Sequence, residues 1–422
     1  MEVTRTKLAG GVYLTFYPAQ KFKTSLLSAQ FVTPLRWETA SACALLPAVL
    51  RRGTVSCPDM GALSARLDRL YGARIDCTVR KKGENQCVGF VASLIDDSYA
   101  PGGERLLEPV ASLLGELVCD PVTERGRFIP AYFDSEKANL IDAVRSILND
   151  KREYAEGRLL REMCAGEAYG IPRLGDDKSA ERIQPQKLYS LYRRLIGSAR
   201  LELFYSGSAS RERVEQALQA AFAALPREDV QGIAPAAVHS ARETVYSVSE
   251  SLDVTQGKLG MGFACGSGDH TALLVGNTLF GGSSNSKLFL NVREKLSLCY
   301  YASSVYHRQK GLITVSSGIE FENYQRAYDE ICAQLRAVQE GRLEDWELEG
   351  ARSTLLNAYA SMADSQGKLE NFFLGQAATG NHETPEDLAA AVREVTPERI
   401  FSAMKTVSLD TVYFLRGKEA AE

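Results

Sequence analysis

No histidine occurs in the first 238 residues of this 422-residue chain; all four, His239, His270, His307 and His382, lie beyond that point. Histidine is the usual metal ligand and the usual general base near neutral pH, so the N-terminal half cannot build a histidine-based zinc site. The nine cysteines include no C-x-x-C pair. An odd, unpatterned set reads as reduced, mostly buried thiols, and a cytoplasmic location is expected. The start, Met1-Glu-Val-Thr-Arg-Thr-Lys-Leu, has no apolar signal region. No apolar run approaches the roughly 18 residues of a membrane span. Net charge is only −4, with acids and bases interleaved, so no basic stripe points to nucleic acid. Neither nucleic acid nor membrane is expected as a partner.

Several catalytic patterns are missing as well. Gly281-Gly-Ser-Ser-Asn-Ser-Lys lacks the G-x-x-x-x-G-K-[ST] spacing that cradles phosphates, and Gly266-Ser-Gly reads as a plain turn. Tyr205-Ser-Gly-Ser is not a G-x-S-x-G elbow, so Ser206 reads as a strand end. Asp96-Asp97 and Asp176-Asp177 read as solvated turn carboxylates rather than an acid–base pair. Cys299 needs a nearby histidine to serve as a nucleophile, and His307 is the only neighbour in sequence.

What is present is a repeating alternation of strand and helix patterns. Strands are expected near 11–17, 24–33, 74–80, 86–94 and 200–206, with helices over 39–50, 59–71, 103–118 and 210–224. Residues 123–166 read as mainly helical and charged on one face. A stretch at 229–243, with Gly232, Pro235 and several alanines, lacks periodicity and is the linker candidate. Beyond it the order repeats in weaker form, with strands near 244–250, 257–264, 299–306 and 311–318. Val91-Ala-Ser-Leu-Ile and Val315-Ser-Ser-Gly-Ile close equivalent strands ahead of amphipathic helices. The chain therefore reads as a tandem duplication, with domains at 1–228 and 244–422. The fold class is α+β: two homologous halves, each a mainly antiparallel sheet with helices packed on one face.

The strongest local signal is Phe280-Gly-Gly-Ser-Ser-Asn-Ser-Lys-Leu-Phe-Leu-Asn-Val-Arg-Glu-Lys-Leu-Ser-Leu-Cys-Tyr300. A Gly/Ser turn opens a helix carrying Arg293, and Tyr300 follows seven residues later at the start of a strand. This block resembles the second half of the pitrilysin/insulinase-type zinc peptidases (mitochondrial-processing-peptidase-like). There, Arg and Tyr at this spacing touch the substrate near the scissile carbonyl. Guanidinium and phenol both donate hydrogen bonds to a carbonyl or oxyanion, which suits the role. The bland reading of the same pair is a surface arginine and a buried strand tyrosine.

In active members of that family the first helix carries His-x-x-Glu-His, whose histidines bind zinc while the Glu serves as general base. The segment aligned through Gly53-Thr54 is Ala44-Leu45-Leu46-Pro47-Ala48. Both histidines are replaced by alanine and the Glu by proline. Phe133-Asp-Ser-Glu136-Lys137 matches the element before the third ligand, but the ligand position falls on Ala143. Leu67–Ala73, Gly170–Gly175 and Leu201–Pro226 match the remaining landmarks in order.

The resemblance therefore implies a catalytically incomplete homologue that keeps substrate-binding Arg293 and Tyr300 and has no catalytic or metal residue of its own. The bacterial chains it resembles most are inactive insulinase-type subunits and those labelled as associated with elongation factor P modification. It also implies a zinc-bearing homologous subunit as partner, a peptide as substrate, and zinc only in that partner. The sheet edge expected to take up the peptide is 257–264. The alternative is a non-catalytic scaffold or peptide-binding protein, and homodimerisation of the isolated chain stays open.

Overall fold

A computed structural model describes residues 3–266 and 268–418. Ser267, in the Gly266-Ser-Gly turn, and Met1 and Glu2 of the N-terminal segment lie outside the described residues. Alternating apolar positions produce thirteen strands among the described residues. The first unit carries β1 (Thr4–Ala9), β2 (Val12–Pro18), β3 (Thr24–Pro34), β4 (Arg74–Lys82), β5 (Asn85–Ile95), the two-residue strands β6 (Thr123–Glu124) and β7 (Arg127–Phe128), and β8 (Arg200–Gly207). The second carries β9 (Tyr246–Leu252), β10 (Gly257–Ala264), β11 (Cys299–His307), β12 (Leu312–Ile319) and β13 (Ser408–Gly417).

The two large sheets run β1-β2-β8-β3-β5-β4 and β11-β12-β10-β13-β9. Without β1, the first maps onto the second strand for strand in chain order: 2, 3, 4, 5, 8 onto 9, 10, 11, 12, 13. In each, one pair is parallel (β2 with β8, β9 with β13) and every other pairing is antiparallel. Ile95 and Ile319 end the equivalent strands β5 and β12, as the Val91 and Val315 segments suggest. The fold is α+β and antiparallel-rich, as expected.

The compact units interleave along the chain. One comprises residues 3–145, 171–235 and 365–382; the other comprises residues 146–170, 236–364 and 383–418. The chain leaves the first for the second between Pro235 and Ala236, within the stretch 229–243. The contiguous halves 1–228 and 244–422 thus exchange two segments that sequence periodicity does not assign. The helix Lys151–Met163 lies with the second sheet, and Gln366–Thr379 lies with the first.

These exchanged helices explain why the central strands β3 and β10 are buried on both faces. On one face of β3, Leu27, Ala29 and Phe31 pack with Leu45, Leu46 and Leu114 of the main helical layer. Val32 points the other way and packs with Leu374 and Ala378 of the exchanged helix. In the second unit Leu259, Met261 and Phe263 of β10 face the main layer. On its other face Gly262 lies under the exchanged helix, where a Cβ would stand 2.5 Å from Met163 Sδ. A side chain at this position would force Met163 to move, so glycine favours the close approach of that helix.

Polar pins fix the exchanged helix of the first unit. Buried Gln366 donates through Nε2 to Thr24 O (2.9 Å) and Ser206 O (2.8 Å). Glu370 meets Arg80 at 2.5 Å, with only 1% of its side chain exposed. Fully buried Asn85 donates to Ala234 O (2.9 Å) and Ala378 O (3.0 Å) and accepts from Ala234 N (2.8 Å).

Two expectations are corrected by this geometry. Residues 257–264 form β10, the middle strand between β12 and β13, so they offer no free edge; the edges are β11 and β9. The small residues of Gly260-Met-Gly mimic a weakly hydrophobic edge, but they exist to admit a helix. Asp96 is not solvated: it is buried and accepts hydrogen bonds from Ser25 Oγ, Ser98 N and Oγ, and Ser208 N and Oγ. Burial alone would raise its pKa, but the hydrogen bonds from Ser208 and Ser98 outweigh it and hold the carboxyl at about 2.

Because the folded-state pKa is depressed, the carboxylate contributes stability above the unfolded value of about 3.9. That contribution is lost as pH falls through the folded value. Urea unfolding midpoints should therefore drop between about pH 4 and pH 2. Asp96→Asn should lower the midpoint at neutral pH and flatten this acid limb. An unchanged acid limb in the variant would remove Asp96 as its cause.

Candidate functional site

Arg293 and Tyr300 lie on either side of a short turn in the second unit. Residues 288–295 form a wide helical turn that buries Leu288 and Val292 and leaves Arg293 partly exposed. Hydrogen bonds from Leu296 N to Asn291 O and from Leu298 N to Val292 O, each 3.0 Å, span more than the usual four residues. Such widened turns recur at functional sites because they displace side chains from the regular helical positions. The chain then reverses at Ser297, whose φ of +50° is uncommon for any residue but glycine or asparagine.

Gly281 supports this arrangement from beneath. A Cβ there would fall 2.7 Å from both Leu288 Cδ1 and Ser304 Oγ. The glycine-rich stretch is thus a packing device under the Arg293 helix. That agrees with the absence of a phosphate-loop spacing.

Tyr300 is aimed by a β-bulge. The β11–β12 register runs Cys299↔Ile319 and then Tyr301↔Gly318, so Tyr300 has no partner in the ladder. A bulged residue bends its strand and redirects its side chain, which here leaves Tyr300 61% exposed although it lies within a strand. Its hydroxyl donates to Glu320 Oε1 at 2.7 Å. That bond to a carboxylate pushes the phenol pKa up, so at neutral pH the O–H remains a donor.

The Arg293 guanidinium lies over the Phe289 ring, 4.6 Å from its centroid, and its Nε is 3.6 Å from Glu294 Oε1. Stacking on an aromatic face restrains the arginine and leaves its N–H groups free to donate in-plane. Together these residues line one open cleft of about 460 Å³, completed by Glu294, Ser297, Leu298, Cys299, Glu320 and Asn323. The structure therefore brings Arg293 and Tyr300 to the walls of a single cleft.

Sequence reading missed Glu320 and Asn323. Their only signal is position: they follow β12, the strand that pairs with the Tyr300 strand. Cys299 also lines the cleft, but burial raises its thiol pKa, and Ser317 and Arg293 only partly oppose this. His307 lies at the other end of β11, bonded to Tyr169 OH (2.8 Å) and Thr314 Oγ1 (2.9 Å), so no Cys–His pair forms.

In the first unit, the aligned zinc-motif segment occupies the middle of the helix Trp37–Leu50. Ala44, Leu45, Leu46 and Pro47 are buried there, and none offers a ligand atom. Ala143 is exposed on the helix Pro130–Ser146. On the same helix, Glu136 is engaged in an ion pair, 2.6 Å from Arg52 Nε. Among the described residues, one group of metal-capable side chains does converge, Cys164, Glu167 and His239, all in the second unit.

Two duplicated antiparallel-rich units and a first helix without ligand atoms at the aligned zinc-motif positions fit an inactive metallopeptidase homologue. Comparison with known proteins agrees. The peptidase M16 inactive domain model matches residues 182–355. Over 418 residues the chain is 34% identical to the probable inactive metalloprotease YmfF of Bacillus subtilis (strain 168), covering 98% of this chain and 97% of that one. A conserved protein from Enterococcus faecalis V583 is similar along all of both chains, with 27% identity and a TM-score of 0.90. The peptidase M16 inactive domain from Pseudomonas fluorescens has the same fold, with a TM-score of 0.80 at 18% identity over the full length of both chains. The chain belongs to the peptidase M16 family, among its inactive homologues.

Proposed function

We propose that this chain is the Arg/Tyr-bearing subunit of a two-chain peptidase. It pairs with a zinc-bearing M16 homologue and helps bind and cleave peptides. The observation that carries this reading is the shared cleft: Arg293 is stacked on Phe289 and Tyr300 is turned out by a bulge, so both side chains line one open cleft. The partner's zinc-bound water attacks the peptide carbonyl, and Arg293 and Tyr300, supplied in trans, hold the substrate and stabilise the developing oxyanion.

The zinc chemistry belongs wholly to the partner in this scheme, because Ala44, Pro47 and Ala48 cannot supply it. The scaffold reading is favoured by one contact, the Tyr300–Glu320 hydrogen bond, which engages the phenol's single donor. Mixing purified chain with a His-x-x-Glu-His homologue encoded nearby separates the two. The pairing reading expects the two chains to co-elute and peptide hydrolysis to appear only in the mixture. Hydrolysis by the homologue alone at the rate of the mixture sinks it.

A further inference from the structure

A second polar cluster in the same unit shares no residue with the cleft. Cys164 caps the helix Lys151–Met163 and is fully buried. Glu167 N donates to Cys164 O at 3.0 Å, a tight turn that sets two side chains at x-x spacing, as in the loops of structural zinc sites. His239 comes from the segment that enters this unit at Ala236, and its backbone N is held by Lys310 O at 2.9 Å. One ligand atom from each of Cys164, Glu167 and His239 lies within 4.8 Å of the others.

The surroundings of the histidine add an independent observation. Its Nδ1 lies 2.6 Å from Glu167 Oε1. Its Nε2, buried and without a hydrogen-bond partner, faces Asp410 Oδ2 at 3.4 Å. The Asp410 side chain is wholly buried and is fixed by Arg242 N at 2.8 Å. A neutral imidazole protonated on Nδ1 therefore turns a lone pair toward a buried carboxylate. With a metal on Nδ1 the imidazole proton would sit on Nε2 and point as a hydrogen-bond donor toward Asp410. That is the carboxylate–histidine–metal arrangement, in which an outer carboxylate fixes the tautomer. Lys310 Nζ pairs with the other Glu167 oxygen, as outer groups commonly do for a ligating carboxylate.

We propose that Cys164, Glu167 and His239 form a zinc site that ties the end of the exchanged helix to the segment entering the second unit. The donor set selects the metal: thiolate and imidazole suit zinc, whereas magnesium and calcium take oxygen ligands. Three protein ligands leave a fourth position for water, which reaches the site past the partly exposed Glu167. Binding replaces the S–H bond of Cys164 with a Zn–S bond and releases one proton to solvent, with no change of oxidation state. Residues 164–167 precede the point where the chain leaves this unit, at Gly170, and His239 follows its return at Ala236. The site closes that excursion like a clip.

The test uses untagged, full-length chain prepared without chelator and reconstituted with zinc. Elemental analysis should give about one zinc per chain, and Cys164→Ser and His239→Ala should each abolish it. Cobalt substituted for zinc should show a thiolate-to-cobalt charge-transfer band in the wild type and not in Cys164→Ser. A strong chelator should lower the melting temperature of the wild type, while Cys164→Ser that is folded by circular dichroism should not respond. Three outcomes overturn the proposal: no zinc after reconstitution, zinc retained in both variants, or a cobalt spectrum without thiolate character. The first would leave the trio as a metal-free hydrogen-bonded cluster. None of these readouts involves peptide cleavage, so the site stands or falls separately from the proposed pairing.

Discussion

Replacing Arg293 with alanine should lower kcat/KM of the reconstituted pair by about 100-fold or more, the scale of losing one preorganised oxyanion donor. Most of the loss should fall on kcat, because a donor aimed at developing charge acts chiefly in the transition state. Arg293→Lys should recover only part of the rate, since an ammonium has no planar fork and stacks less well on Phe289. Tyr300→Phe removes a donor that must first be released from Glu320, so a smaller loss of about tenfold is expected. The double variant should lose less than the product of the two singles if both donors serve one oxyanion. Arg293 and Tyr300 are exposed, so both singles should melt within about 0.5 kcal/mol of the wild type. A pair that cleaves peptides at full rate with Arg293→Ala would make the Arg/Tyr block a relic.

The largest effect on stability is expected at Glu370. Its carboxylate is 1% exposed and meets Arg80 at 2.5 Å, while the Arg80 side chain keeps 23% of its surface. Removing one partner of a buried pair leaves the other charge without compensation, so Glu370→Ala should cost about 3 kcal/mol in urea unfolding. Glu370→Gln keeps the shape and one acceptor and should cost less. Arg80→Met together with Glu370→Leu should recover much of the loss, because an apolar pair of similar volume removes the desolvation problem. A change below about 0.5 kcal/mol for Glu370→Ala would mean that this pin is not what holds the exchanged helix to the first sheet.

The strands and the duplication are legible in the sequence because they rest on local alternation. Val91–Ile95 and Val315–Ile319 can be matched by eye, and they end equivalent strands. The missing zinc ligands are legible for a simpler reason, since replacement of His and Glu by Ala and Pro is a matter of chemistry rather than geometry. The exchange of helices is not legible. The apolar face of Lys151–Met163 (Ala155, Leu159 and Met163) fits any sheet, and only the packing against Gly260 and Gly262 shows which sheet it covers. Asp96 reads as a turn carboxylate because its donors, Ser25 and Ser208, are far away in sequence. The Arg293/Tyr300 spacing is visible, but the bulge that exposes Tyr300 depends on the β12 register. The Cys164, Glu167 and His239 cluster needs a turn and a long-range contact, and sequence supplies only the x-x spacing of its first two members.

The proposed pairing requires this chain to touch the peptide at the bond that a zinc-bearing partner cuts. A peptide bearing a photoreactive side chain next to the scissile bond, irradiated in the pair and mapped by mass spectrometry, tests that contact directly. Crosslinks should fall on the cleft formed by residues 293–300 with Glu320 and Asn323, and an excess of unlabelled peptide should suppress them. Crosslinks confined to the zinc-bearing partner, in a pair that cleaves that peptide, would contradict it.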